Sequence, residues 1–430
     1  MISTPLNHRK PRFFVSFLSM EKRSLINMKK FIIIGGGAAG FFAAINAAEM
    51  NPELEVLILE GSKNVLQKVK VSGGGRCNVT NACFTPNELV EFYPRGKKEL
   101  LGPFHQFMTG DTMEWFENRG IPLKIEEDNR VFPESNSSQT IIDCFLDSAK
   151  NVGVNIKTSS RVETIEKSGE KFVVKTASEN FIADYLLIAT GSNAKVWSMI
   201  ENFGHTIAEP VPSLFTFNIV DERLKDIPGI SVLNASVKIL NSKLTEQGPL
   251  LITHWGLSGP AILKLSAWGA LELYQKKYQF EIEVNWLSEK FETVLNELKL
   301  VKKNQSKKIV LLRSVFSEIP KRLWLKLVFA AKIPKNSQWA QLNNQQLENL
   351  AGQLTKCKFK VDGKSTFKDE FVTAGGIDLK EINFKRFESK LHKNLFFAGE
   401  ILNIDAITGG FNFQNTWTGG WIVANSVGSL

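Results

Sequence analysis

Cysteine is scarce in this chain: its 430 residues hold four, Cys77, Cys83, Cys144 and Cys357. None forms a C-x-x-C pair, and none joins a histidine at metal-ligand spacing. A dense disulfide framework is excluded, no metal site is expected, and a reduced, cytoplasmic setting follows. A dithiol redox mechanism is also disfavoured, although Cys77 and Cys83 stand as C-x5-C. No apolar run approaches the ~18–20 residues of a membrane span, so no membrane association is expected. Internal repeats and low-complexity tracts are absent. Basic residues do not interleave with aromatics in the RNA-recognition manner, so nucleic acid is not expected as a partner.

Acidic charge is in deficit, with a formal net charge of +9. Residues 1–27 carry five Lys and Arg against Glu21. They lack the apolar core and cleavage site of a signal peptide. Met28-Lys29-Lys30 leads directly into the first apolar run, so 1–27 are expected to be a disordered extension or an over-long gene reading. The remaining excess is a mild bias, which suits anionic cofactors or substrates as well as nucleic acid.

Glycine is present where it matters. Gly35-Gly36-Gly37-Ala38-Ala39-Gly40 follows the apolar run Phe31–Ile34 and opens an Ala-rich stretch to Met50. Twenty residues beyond Gly40, the run Val56–Leu59 ends in Glu60. Strand, glycine turn, helix, strand and acid form the dinucleotide-binding fingerprint. Gly35 permits the tight turn, Gly37 lets the backbone approach a pyrophosphate, and Gly40 lets helix pack on strand. The helix opening at Ala38 and Ala39 favours phosphate at its N-terminus. Glu60 is placed to accept hydrogen bonds from ribose hydroxyls.

Residues 109–120 and 137–152 carry apolar residues at helical spacing, and Arg130–Pro133 reads as a short extended piece. Phe172–Lys175 and Phe181–Ala189 read as strands. The second stops at Thr190-Gly191, as a parallel strand does where it meets a ligand. Past residue 193 the texture changes. Ser231–Leu240 and Tyr278–Val284 alternate like antiparallel strands, while 286–355 has helical spacing. No second G-x-G-x-x-G occurs, and strand texture returns at Asn394–Glu400. The expectation is an α/β fold: a nucleotide-binding part over 28–192, an insert over 193–355 and a second nucleotide-binding part over 356–430.

The strand ending in Gly399 and Glu400 places an acid where flavoproteins of this kind bind the ribityl chain. Gly409 and Gly410, followed by Phe411 and Asn412, open the last helix. Their N–H groups, aimed at the N1/O2 edge of a flavin, would stabilise its reduced form. Joined to the first fingerprint, this moves the expected cofactor from NAD to FAD. The glycine-centred loop Lys68–Asn81 is expected to wrap it. There Ser72, Gly73, Gly74, Gly75 and Asn78 offer donors, Arg76 pairs with a phosphate or a pyrimidine carbonyl, and Lys68 adds positive potential. Cys77 is expected beside the flavin as a small packing group rather than a redox thiol.

Four ordered motifs then carry a family likeness: Ser72–Asn81, Thr253–Leu263, Val372–Ile377 and Ala398–Gln414. Together they resemble the bacterial BaiN/RdsA-like, aminoacetone-oxidase-like NAD(P)/FAD-dependent oxidoreductases, from about residue 29 to 430. The resemblance implies a two-part Rossmann-like FAD-binding domain of glutathione-reductase type, with an inserted mixed β-barrel and helical domain. It implies no single substrate, since members are linked to enone reduction and to amine oxidation. The family reads G-E-x-L-D-x-D-G-x-T-G-G. Here Asn403 and Ala406 depart from it and Asp405 is kept.

Asp405 and His254, the latter in the Thr253–Pro260 segment, are the candidate catalytic residues. The expected function is FAD-dependent oxidoreduction of a small organic substrate by hydride transfer through flavin N5. NADH or NADPH is left open as a transient donor. Reduction of a C=C bond next to a carbonyl competes with oxidation of an amine by oxygen. A flavin-dependent tRNA-modifying protein and a flavin binder without turnover are the alternatives from other classes. Oligomeric state is not fixed.

Overall fold

The computed structural model describes residues 28–365 and 372–429, so the expected extension over 1–27 lies outside the described residues. Its centre is β1 (Lys30–Ile34), buried from Phe31 onward. It pairs in parallel with β2 (Glu55–Leu59) on one side and with Tyr185–Ile188 on the other. Leu395–Phe397 and Asn155–Lys157 extend the parallel sheet outward, and two short antiparallel strands complete seven. Strands covered on both faces read as unbroken apolar runs, which is why these were legible.

Helix α1 (Ala38–Met50) is buried almost all round. The C-terminal helix Phe411–Gly428 crosses it at close range. A Cβ on Gly420 would stand 3.1 Å from Ala39 O and 3.2 Å from Ala43 N. Small residues on both helices let the backbones meet there, and this contact joins the two ends of the chain. Phe42, Trp115, Phe145 and Trp417 close the core around them.

Helices form at Thr109–Glu117 and Ser138–Asn151, as their spacing predicts. The run 181–189 behaves differently: it is two strands in two sheets. Asn180–Ala183 pairs antiparallel with Lys171–Thr176, and the chain then crosses at Asp184 into the parallel sheet. Asp184 fixes the crossing, accepting from Lys30 N at 2.9 Å and pairing with Lys171 at 3.0 Å.

The insert builds a seven-stranded antiparallel sheet with its own core. Ser231–Ile239 is central, between Thr245–Ile252 and Gln279–Asn285. The last strand closes it into a barrel. Cys357–Asp362 pairs with Gln279–Asn285, and beyond the bend at Gly363 the pair Lys364–Ser365 meets Thr216–Phe217. The helices Phe291–Asn304, Lys321–Ala330 and Asn344–Thr355 pack beside it around Trp324 and Trp339.

Two expected boundaries therefore move. Residue 356 falls inside the barrel, because Cys357, Phe359 and Val361 alternate inward and need a partner strand there. Residues after 193 still belong to the first core: Val196, Trp197 and Ile200 are buried in it. Ile207–Ser213 then pairs with Val372–Ile377. The loop expected over Lys68–Asn81 is also partly helical, starting at Gln67 and leaving helical geometry at Ser72–Gly74. Among the described residues no helix is long and apolar enough to cross a membrane, and no group of three His, Cys, Asp or Glu could hold a metal.

Candidate active-site cleft

A cleft of about 1070 Å³ opens where β1, β2, Tyr185–Ile188 and Leu395–Phe397 all end. Such a carboxyl-edge position beside a change in strand order is where open α/β sheets bind ligands. Gly35, Gly37, Ala38, Ala39 and Glu60 line its first part. Gly35 has φ +114°, and a Cβ on it would lie 2.4 Å from Ala189 O, so only glycine fits. Gly37 differs: a Cβ there meets nothing nearer than Ala189 O at 4.0 Å. Glu60 accepts from Gly36 N at 2.8 Å and from Ser62 N at 2.7 Å. The N-terminus of α1 has no side-chain cap, which leaves its N–H groups for another acceptor.

Lys68, Ser72, Gly73, Gly74, Asn78, Thr190 and Gly191 line the middle. Gly399, Glu400, Gly409, Gly410 and Asn412 line the far part. Lys68 pairs with Glu400, whose other oxygen accepts from Thr373 N at 2.9 Å. Two buried lining atoms, Thr190 Oγ1 and Asn415 Oδ1, have no hydrogen-bond partner. Buried polar atoms are rarely left so, and both are places for a ligand's donors or acceptors.

Several expected residues stand elsewhere. Gly40 lies inside α1, where a Cβ would come 2.1 Å from Gly35 O; it serves packing. Arg76 turns away to pair with Glu126 at 2.6 Å and lies 3.8 Å over the Phe132 ring. Neither it nor Gly75 lines the cleft. Cys77 is fully buried, and burial pushes its thiol up to about 12, so it holds no thiolate. Phe411 stacks on Phe92 at 4.2 Å, outside the lining. The Gly410 N–H faces the Asn78 amide at 2.9 Å, and is engaged by it when that amide is turned to present its oxygen, the orientation its other neighbours favour. The Asn412 side chain exchanges two hydrogen bonds with the Ala406 backbone, at 2.9 and 3.0 Å, and so shapes the loop.

The two candidate catalytic residues are also displaced. His254 is exposed at the tip between Thr245–Ile252 and Gly256–Ser258, away from the cleft lining. Asp405 is 0% exposed and held by Arg95 Nε and Nη2, with Ser213 Oγ donating at 2.8 Å. Burial raises its carboxyl, while Arg95 and Ser213 pull it back. It is a joint between segments rather than a group in the cleft.

Other lining residues are not among the expected site residues, although Ser258 and Leu263 fall in the Thr253–Leu263 motif. Arg161 and Lys195 are exposed at the edge of the cleft and enter no ion pair among the described residues. Arg161 follows the parallel strand Asn155–Lys157, a position the strand-end rule points to. The barrel supplies Thr216, Ser258, Leu263 and Ser365 as the opposite wall. Thr216 Oγ1 donates to Ser258 Oγ at 2.9 Å.

The family model described as the HI0933-like protein Rossmann domain matches residues 29–426. A 3-dehydro-bile acid delta(4,6)-reductase of Clostridium scindens is 26% identical over 416 residues, covering 93% of this chain and 99% of that protein. A ribosomal RNA dihydrouridine synthase of Escherichia coli is 30% identical over 411 residues, covering 92% and 97%. One of the same name from Haemophilus influenzae is 28% identical over 412 residues, covering 92% and 98%. Among solved structures, a 3-ketosteroid delta1-dehydrogenase from Sterolibacterium denitrificans has a TM-score of 0.49 at 11% identity, covering 93% of this chain and 99% of that one.

Proposed function

The chain belongs to the family of the HI0933-like protein Rossmann domain, and from that premise we propose that it is an FAD-dependent reductase of a C=C bond conjugated with a carbonyl. The observation that carries this reading is the cleft at the sheet's carboxyl edge, glycine-lined at one end and walled by barrel hydroxyls at the other. The unpartnered Thr190 Oγ1 and Asn415 Oδ1, and the room above Gly37, support a dinucleotide there. FAD, when bound, supplies two-electron transfer, which no side chain of the protein offers.

The chain's own residues bind and orient. The N-terminus of α1 takes phosphate. Glu60 has lone pairs beyond those used by Gly36 and Ser62, and takes ribose hydroxyls. Glu400 and Lys68 take the polyol between the two rings. Residues 28–213 and 372–429 serve the cofactor, and 214–365 the substrate. Ser258, whose oxygen accepts from Thr216 and whose own proton stays free, holds the substrate carbonyl, which draws electron density to oxygen and activates the far carbon of the double bond. Leu263 keeps water out. Across the reaction the substrate gains a hydride on one carbon and a proton on the other. NADH or NADPH supplies the hydride and leaves oxidised; solvent supplies the proton.

For substrate we read uracil in RNA. Uracil and an unsaturated 3-dehydro bile acid, the ring systems named for the relatives, each hold a C=C bond conjugated with a ring carbonyl. An RNA carries a charge at every nucleotide, which suits a chain of net charge +9 better than a single acid does. This revises the expectation that nucleic acid is no partner.

The test begins with the visible spectrum of the purified protein and identification of the released cofactor. Anaerobic mixing with NADH and NADPH should bleach the flavin band, and unmodified ribosomal RNA should restore it with dihydrouridine detected by nucleoside mass spectrometry. A protein that stays colourless after incubation with FAD sinks the flavin reading. Bleaching by small amines, with reoxidation by oxygen alone, replaces the reductase by an amine oxidase.

A further inference from the structure

The excess of positive charge is not spread evenly over this protein. Residues 298–347 hold eleven Lys and Arg against one acid, Glu318. That stretch alone reaches +10, so the other 380 residues sum to −1. It covers the middle of the helical half of the insert, and Glu292, Glu297 and Glu348 lie just outside it on the first and last of those helices. Ion pairs occur across the rest of the described chain, yet none includes any of these eleven residues. Lys302 and Arg322 donate to the backbone carbonyls of Leu342 and Asp226. The other nine have no side-chain hydrogen bond among the described residues, and all but Lys326 are exposed.

We propose that this helical lobe is the surface on which the phosphate backbone of a structured RNA docks, apart from the cleft where the base is reduced. The proposal rests on the reading of the substrate as a base in RNA. Placing two charges at the end of helix Phe291–Asn304 has an ordinary explanation, since Lys302 and Lys303 complement the helix dipole. That accounts for two of eleven. Of the other nine, Lys299 lies on the same helix, three lie on the helix Lys321–Ala330 and five on connecting segments. Like charges this dense repel one another and lower stability, so they imply a polyanion that relieves them.

The lobe is also built as a firm support. Trp324 and Trp339 are buried in its core, and Trp324 Nε1 donates to Val310 O at 2.9 Å. Its helices bury Leu298, Leu323, Leu327, Leu347 and Leu350, all 0% exposed, while Leu300, Ile309, Leu312 and Phe329 are left outside. Those four are spread over two helices and a connecting segment rather than lined up as the apolar face of one helix, which makes a lipid surface the poorer partner. Arg322, Lys326 and Phe329 share one face of their helix at spacings of four and three. Phe329 is half exposed there and offers a stacking surface beside the charges.

The test uses the full-length flavin-loaded protein and two variants, Lys303→Gln/Lys307→Gln/Lys308→Gln and Lys321→Gln/Lys332→Gln/Lys335→Gln. Binding to bacterial ribosomal RNA and to phosphatidylglycerol vesicles is measured across a salt series. Each variant should bind RNA roughly tenfold or more weakly near ~0.1 M salt, and lower the slope of log affinity against log salt by about 2–3. Flavin absorbance and its bleaching by NADH or NADPH should not change. RNA binding that is absent at low salt, or unchanged in both variants, overturns the proposal. Vesicle binding that the variants lose while RNA binding persists assigns the lobe to a membrane instead. If RNA affinity falls as expected but no dihydrouridine ever forms, the docking surface stands and the uracil reading fails. If both variants form dihydrouridine at the parent rate with sub-saturating RNA, the reverse holds.

Discussion

The two walls of the cleft are made in opposite ways. The sheet wall is largely backbone: glycine turns, strand ends and a helix N-terminus, with Glu60 and Glu400 as its acids. The barrel wall is side chain: the hydroxyls of Thr216, Ser258 and Ser365 with Leu263 among them. A backbone wall suits a ligand part that never varies, because changing it means changing the fold. A side-chain wall is altered one residue at a time while the barrel behind it stays intact. The contrast assigns the cofactor to the first wall and the substrate to the second, and each prediction below tests that division.

The largest effect is expected at Gly37. Gly37→Val should abolish flavin retention, read as the ratio of flavin to protein absorbance, while the circular dichroism spectrum stays that of the parent. A side chain there meets no protein atom nearer than 4.0 Å, so what it obstructs is the cleft. Gly35→Val is the contrast. Its φ of +114° and the 2.4 Å approach to Ala189 O predict a protein that does not fold. A Gly37→Val protein that stays fully yellow would take the dinucleotide off this wall.

Next comes the joint that keeps the walls in register. Asp405 sits on the segment after Glu400, and Ser213, which donates to it, leads into the barrel. Arg95 binds Asp405 and also donates to Ala267 O at 2.9 Å, on a helix packed against the barrel. Arg95→Leu leaves a buried carboxylate without its partner, a loss of about 3–5 kcal/mol by urea denaturation. The pair Arg95→Leu/Asp405→Leu should recover most of it, since no charge is then left buried. Equal losses in the single and double variants would mean that Asp405 matters for something other than this joint.

A smaller effect is expected on the barrel wall. Thr216→Val keeps the shape and removes the hydroxyl that donates to Ser258 and orients it toward the substrate carbonyl. It should raise KM for the reducible substrate about tenfold, the worth of one hydrogen bond of roughly 1.4 kcal/mol. Flavin content and its reduction by NADH or NADPH should be untouched. Loss of flavin from this variant would place the cofactor against the barrel and break the division of labour.

The sheet wall was legible in the sequence for a physical reason. Its function needs particular glycines at fixed spacing between apolar runs, and residues 31–60 display them. The motif around Ala398–Gln414 was legible likewise, but not what each residue in it does. Asp405 and Phe411 face the interior, and the Gly410 N–H meets the Asn78 amide. Those are tertiary facts with no local trace. The barrel wall was only partly legible: the Thr253–Leu263 motif holds Ser258 and Leu263, but Thr216, Ser258 and Ser365 are distant in sequence and ordinary in type, and only strand pairing brings them together. The strand Cys357–Asp362 was legible and overlooked, since Cys357, Phe359 and Val361 alternate with Lys358, Lys360 and Asp362. The basic stretch was missed by counting charge over the whole chain, which dilutes a +10 segment to a mild bias.

The smallest predicted effect serves as a control, since it touches neither wall. His205 is buried between Glu381 Oε2 at 2.8 Å and Ser389 Oγ at 2.9 Å, at the antiparallel edge of the sheet. Burial lowers its pKa below the ordinary 6.5, and Glu381 only partly offsets this. The neutral ring is thus favoured in the folded state. Its contribution to stability is whole above about pH 6.5 and is lost as pH falls through the folded value. Glu381 acts in the same sense lower down. Burial opposes its charge, but hydrogen bonds from Thr206 and His205 bring its pKa below 4.5, so its contribution goes only in stronger acid. The Tm should therefore be flat from pH 7 to 8 and fall by no more than about 5 °C by pH 5.5. His205→Gln should flatten that first decline without changing flavin content or KM. A pH-dependent loss of flavin in the parent, absent from the variant, would tie this edge of the sheet to the cofactor wall after all.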